Sequence, residues 1–229
     1  MAVSIDNVYQ QVLAIANKEQ RGYITPQEFN ILARRVQLDI FDNYFNELNT
    51  LTKTQSNSTI YADGVDSIQE KIDVHEKFNQ TVAMSVGGTG ILPLSYKIGR
   101  LSHNNKEIQL VQQNDLNNHI NSGKLKPSVS YPIYVKTSEV NIQVYPTTIE
   151  AGVLCNYIAI PAIPKWGYVV LGDKALYNST TSTDFELHAS EESTLTNKIL
   201  ELAGIIINKP GLSEVTLRNE QLKEAKENR

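Results

Sequence analysis

Several kinds of residue in this chain have side chains or spacing that invite a chemical reading. The run Gly87-Gly88-Thr89-Gly90 has the look of a phosphate cradle, but a P-loop ends in Gly-Lys-Ser/Thr and here Ile91-Leu92-Pro93 follows. Without the lysine and the magnesium-binding hydroxyl, a turn is expected. Four histidines, His75, His103, His119 and His188, are scattered, with no His-x₃-His or Glu-x-x-His pair to converge on a metal. Asp63, Asp66 and Asp73 miss the alternating ligands and fixed glycine of a calcium loop. Cys155 lies in an apolar run where a thiol is core material, no serine sits in a Gly-x-Ser-x-Gly elbow, and Glu191-Glu192 opens a helix, where capping accounts for acids. These readings lead to the expectation of no enzyme activity, no metal and no cofactor.

Composition narrows the class. The 229 residues are 41% hydrophobic and 20% charged, enough apolar content for a sizeable core. A net charge of −4 argues against nucleic-acid binding by bulk positive charge. One cysteine excludes an intramolecular disulfide framework. The opening residues Met1–Asp6 lack the basic and apolar regions of a signal peptide, and the densest apolar run, 203–207, is too short to span a bilayer. A soluble protein made in a cytoplasm is expected. In that setting the Asn57-Ser58-Thr59 and Asn178-Ser179-Thr180 sequons carry little meaning, and Pro161-x-x-Pro164 reads as an approach to a sheet edge rather than a polyproline ligand.

The elements that position these residues change along the chain. Val8, Val12 and Ile15 recur at helical spacing. Thr25-Pro26-Gln27-Glu28 then combines a cap, a proline at the first helical position and a capping-box glutamate, with Ile24 and Phe29 as the hydrophobic staple. The helix that follows is predicted from Pro26 to about Thr50. Its main stripe runs Phe29, Leu32, Ala33, Val36, Ile40, Tyr44, Leu48, Leu51, with Leu38, Phe41 and Phe45 on a neighbouring face. Apolar surface this wide must bury two sides. Phe41 and Phe45 are therefore candidate packing residues, against another helix of the monomer or of a second subunit.

A weaker helix is predicted over Val65 to Phe78. From Ser85 to about Tyr177, glycine, proline and asparagine punctuate short β-branched runs, and Tyr131–Lys136 with Val140–Tyr145 reads as a hairpin. Helix returns at Ser190, with Leu195, Ile199, Leu202 and Ile206 as one stripe, and a charged last helix follows Ser213. The expected fold is α+β: an adaptor-type helical bundle of N- and C-terminal helices with a small inserted antiparallel β region. Its expected parts are residues 1–84, helical; 85–188, β-rich; 189–212, a core helix packing with the first part; and 213–229, a C-terminal arm.

The series Asn17–Asn30, Tyr131–Tyr134, Val144–Ile149, Ile160–Tyr168 and Asp184–His188, ahead of Lys198–Gly204, resembles the neck, ring or adaptor proteins that connect head to tail in crAss-like and related podovirus-type bacteriophages. The resemblance implies a virion protein in a homo-oligomeric ring, commonly of twelve copies. Its implied partners are the portal and neighbouring tail or neck rings. Genomic DNA would pass through without sequence-specific binding, and no membrane is involved. It further implies that the C-terminal arm docks on the portal; the arm's own thin apolar content makes Leu217 and Leu222 the candidate anchors, with Arg218, Lys223 and Lys226 meeting acidic partners. Competing readings are another virion ring or fibre-base protein, a non-viral binding module that uses the sheet, and an enzyme whose site is assembled from distant residues.

Overall fold

The computed structural model describes residues 3–18, 24–53, 59–172, 174–206 and 218. The chain divides into two compact units. Unit 1 comprises residues 1–74 and 161–229, and unit 2 comprises residues 75–160.

Unit 1 is built on helices α1 (Ile5–Lys18), α2 (Pro26–Lys53), α3 (Thr59–Asp73) and, after a short 3₁₀ turn, α5 (Glu192–Ile206). The capping box before α2 forms as its residues dictate. Thr25 donates its backbone N–H (2.9 Å) and its hydroxyl (2.8 Å) to Glu28 Oε2, and its Oγ1 accepts from the Glu28 N–H at 3.3 Å. Those bonds hold the Glu28 carboxyl below its ordinary pKa, the backbone bond first. α2 buries Phe29, Leu32, Ala33, Val36, Ile40, Phe41 and Tyr44, and it packs against α3 and α5.

Two polar groups are buried with this face. The amide of Gln37 donates to the Ala162 carbonyl (2.7 Å) and accepts from the Glu186 N–H (3.2 Å), so an interior glutamine ties two irregular segments to α2. Lys71 on α3 pairs with Glu191 at 2.9 Å, with both side chains largely out of water. The Lys71 ammonium also lies 5.8 Å from the centroid of the Tyr44 ring. Burial, and then the Glu191 charge, push the Tyr44 phenol far above its ordinary pKa.

Unit 2 is one eight-stranded sheet. Its strands are β1 (Glu76–Thr81), β2 (Ala83–Ser85), β3 (Thr89–Ile91), β4 (Lys97–His103), β5 (Lys106–Leu110), β6 (Ile133–Lys136), β7 (Asn141–Tyr145) and β8 (Val153–Ile158), in the order β1-β8-β4-β5-β6-β7-β3-β2. The two ends of that order, β1 and β2, are consecutive pieces of one stretch, broken only at the buried Val82. β1 pairs with β8, β2 pairs with β3, and Val82 donates to the Val153 carbonyl at 2.9 Å. One extended segment thus serves both edges, and the sheet wraps into a nearly closed barrel.

Inside the barrel are Val82, Leu92, Leu101, Ile108, Tyr134, Ile142, Val144, Ile149, Val153 and Cys155. Because strand side chains alternate, Ile133 and Val135 point the opposite way from Tyr134. They form a second cluster with Val111, against which Leu116 and Tyr145 pack. Every pairing in the barrel is antiparallel except β5 with β6. A parallel pair needs a long crossover. Here it is residues 111–132, carrying a 3₁₀ turn and the short helix α4 (Leu116–Asn121).

The expected helical bundle with a small antiparallel insertion is therefore corrected. The protein is a sheet-rich α+β fold with a mixed, barrel-like eight-stranded sheet and, among the described residues, five α-helices. The local reading fails over residues 76–84, taken with the helical part but forming β1 and most of β2. All six side chains of β1 are exposed, so it has no apolar alternation to read, and β2 and β3 are three residues each. The helix expected to reach Phe78 ends at Asp73, which leaves Phe78 on β1. The parallel β5–β6 contact joins residues far apart in sequence, and no local pattern reports it.

Replacing Lys71 by methionine should leave Glu191 buried without its cation. Breaking such a pair costs about 3 kcal/mol, and urea unfolding should register that loss. A loss below about 0.5 kcal/mol would mean that the pair behaves as a solvated one.

Candidate functional site

The residues that invited a chemical reading do not converge. Among the described residues no group of three or more His, Cys, Asp or Glu side chains is placed to hold a metal ion. His103 Nδ1 lies 3.2 Å from the Gly152 carbonyl, and His188 Nδ1 accepts from the Ser190 N–H ahead of α5. In the Gly87-Gly88-Thr89-Gly90 run, Gly87 and Gly88 lie in the tight turn between β2 and β3, and Thr89 and Gly90 open β3. Gly87 and Gly88 have φ of 83° and 77°, and a Cβ at Gly88 would come within 2.6 Å of the Val144 carbonyl oxygen. The Gly87 N–H is taken by the Glu150 carboxylate at 2.9 Å, a negative group where a phosphate would have to sit.

Cys155 is fully buried in the barrel, and burial pushes its thiol up to about 11. A hollow on unit 2, lined by Leu94, Tyr96, Ile98, Lys136 and Glu139 among others, measures about 170 Å³. That is smaller than the roughly 300 Å³ at which ligand pockets begin. No described helix is long and apolar enough to cross a membrane.

What unit 1 does present is an apolar hairpin. Strands β9 (Tyr168–Leu171) and β10 (Lys174–Tyr177) pair only with each other, antiparallel, with Tyr168 opposite Tyr177 and Val169 opposite Leu176. Val169, Val170, Leu171 and Leu176 are 50–70% exposed. By strand alternation Val169, Leu171 and Leu176 share one face, while Val170 lies on the other beside Ala175. Each strand also has an edge that no described strand pairs. A lone two-stranded hairpin is marginal in water, so something must hold this one.

That anchor is Trp166, buried at the hairpin's base. Its ring lies against Tyr168 and Tyr177, each 5.8 Å away centroid to centroid, and against Tyr9 of α1 at 4.4 Å. Its indole N–H donates to Asp6 Oδ1 (2.9 Å). Its backbone N–H donates to Asn30 Oδ1 (2.7 Å), and its carbonyl accepts from Asn30 Nδ2 (3.2 Å). Next in sequence, Gly167 donates to Ser182 Oγ (2.9 Å) and accepts from the Asn178 N–H (2.9 Å). The backbone of Thr181 passes so close that a Cβ on Gly167 would lie 2.7 Å from it.

Of the residues singled out from sequence, Phe41 is buried and Phe45 half-buried on α2, with their rings edge to face and centroids 5.2 Å apart. Arg218 is exposed. Leu217, Leu222, Lys223 and Lys226 lie outside the described residues. The sequence reading takes Gly167–Leu171 as a strand but misses its partner, although Gly172-Asp173 between apolar runs is a hairpin signal. No protein-family model matches the chain, and no curated protein matches its sequence.

Two outcomes follow from this geometry. Trp166→Phe should lower stability by about 1–3 kcal/mol, because the half-buried Asp6 loses its indole donor and the packing at the hairpin's base shrinks. The loss should appear first as faster amide exchange in β9 and β10, and unchanged exchange there would separate the hairpin from its anchor. Cys155 should resist thiol reagents in the native protein at neutral pH and react once unfolded. Its folded pKa lies above the unfolded one, so stability should also fall as pH rises from 9.0 towards about 11 and level off beyond. Native labelling at the rate of a free thiol would contradict the burial.

Proposed function

We propose that this protein is a non-catalytic structural component of a tailed-phage virion. In this reading it forms a ring that joins the portal to the tail and lets DNA pass. The observation that carries it is the β9–β10 hairpin, an apolar element with open edges, fixed rigidly by Trp166. Covering a valine or leucine contributes about 1.5–3 kcal/mol per fully buried side chain. Four such side chains on a pre-ordered hairpin are a docking device whose ordering entropy is already met within the monomer. The occupant proposed for it is a neighbouring ring of the neck. The order of segments from Asn17 to Gly204 supports placing the chain with neck proteins. The acidic balance is compatible with a conduit that does not grip phosphates. Residues 213–229 are proposed as the arm that meets the portal through Leu217, Arg218, Leu222, Lys223 and Lys226.

Cryo-electron microscopy of the particle neck tests the reading. The expected result is a ring of this chain, commonly of twelve copies, between portal and tail with the hairpin at an inter-ring contact. Val170→Asp with Leu176→Asp should leave the isolated chain folded by circular dichroism and exclude it from particles. Normal incorporation of that variant, or a particle whose neck lacks the chain, would overturn the reading.

A further inference from the structure

The crossover that the parallel β5–β6 pair forces onto the surface of unit 2 has an unusual composition. Over residues 111–132 its charged side chains are Lys124, Lys126 and a single acid, Asp115, just ahead of α4, and Lys136 follows at the end of β6. Ile120, Leu125, Val129 and Tyr131 are exposed there, Tyr131 to 80%. The segment is nevertheless held in shape. Leu116 packs on the Val111, Ile133 and Val135 cluster. Ser122 Oγ accepts from the N–H groups of Lys124 and Leu125 at 3.3 and 3.1 Å, and Lys106 Nζ donates to Ser130 Oγ at 3.3 Å. Lys106, Lys124 and Lys126 make no ion pair with a described residue.

Lysines alone would suit a phosphate backbone. Exposed Leu125 and Val129 gain nothing from hydrated phosphates, whereas a protein surface rewards both kinds of side chain. The chain itself supplies a complementary surface. Unit 2 carries 7 Lys and Arg against 5 Asp and Glu, net +2; unit 1 carries 14 against 20, net −6. On α3 of unit 1, Asp66, Glu70 and Asp73 follow at i, i+4 and i+7 as one exposed ridge, opposite the buried Ile68 and Ile72.

We propose that the crossover 116–131 of one copy docks on the acidic helical unit of a second copy. Leu125, Val129 and Tyr131 are buried in the contact, and Lys124 and Lys126 face the α3 ridge. Two different surfaces meet, so the contact is heterologous, the kind that closes into a ring when the rotation permits. The inference rests on the ring reading and adds to it which surfaces join neighbours.

The test is the oligomeric state of the full chain, by sedimentation and native mass spectrometry at about 50 mM and about 500 mM salt. Wild type should self-associate, more weakly at high salt. Lys124→Glu with Lys126→Glu should weaken association by about tenfold or more, and so should Leu125→Ser with Tyr131→Ser, with circular dichroism unchanged. Mixing the charge-reversed loop variant with Asp66→Lys, Glu70→Lys should restore association. A wild type that stays monomeric, or a loop variant that assembles like wild type, overturns the inference. So does binding of a short DNA duplex that the lysine variant loses while its oligomeric state is unchanged, because the partner is then nucleic acid. A ring seen in particles whose assembly ignores these variants removes this contact and leaves the ring reading intact.

Discussion

Trp166 is where three distant stretches of the chain meet. Asp6 takes its indole proton, Asn30 holds its backbone on both sides, and Tyr168 and Tyr177 lie against its ring. The bridges around it extend the same tie. Val3 pairs with Phe185, Asp184 accepts the Ile5 N–H at the start of α1, and Gln37 bonds to Ala162 and Glu186. Residues 161–188 have little regular structure, yet polar bonds to α1 and α2 fix their course. A hairpin too small to stand alone is thereby given a fixed direction.

Unit 2 reaches its order by a different constraint. The stretch from Glu76 to Ser85 contributes to both ends of the strand order, so the edges of the sheet are consumed by its own chain. Closing that way leaves one neighbouring pair, β5 and β6, running parallel, and the parallel pair forces the long crossover. The exposed loop is thus a product of topology. Both surface features argued to carry contacts arise beside a place where backbone pairing is stringent. Each is ordered before any partner arrives, which keeps the entropy cost of docking low.

The sequence made the local features legible and hid the non-local ones. Thr25-Pro26-Gln27-Glu28 announces α2 because a capping box is complete within four residues. The hairpin of β6 and β7 is visible from its alternation, and the turn at Gly87-Gly88 from its glycines. β1 is invisible because an edge with six exposed side chains has no periodicity. Gln37 escapes notice because a polar residue within an apolar stripe gives no sign that its two partners lie more than a hundred residues away. At the candidate site, Val169 to Leu171 reads as strand, but nothing in an apolar strand tells a buried one from one left in solvent. That distinction depends on what packs against it, and here no third strand among the described residues does. The lysines and apolar residues of 116–131 can be counted in the sequence, but the exposure of Leu125, Val129 and Tyr131 follows only from the parallel pairing.

Trp166 is the chain's single tryptophan, and tyrosines Tyr9, Tyr168 and Tyr177 lie within 6 Å of it, ring to ring. All long-wavelength ultraviolet emission from the native protein therefore originates at the base of the hairpin, in a dry site fed by energy transfer from those neighbours. The molecule carries its own optical gauge of how firmly the hairpin is seated, with no label to attach and no second indole to obscure the signal.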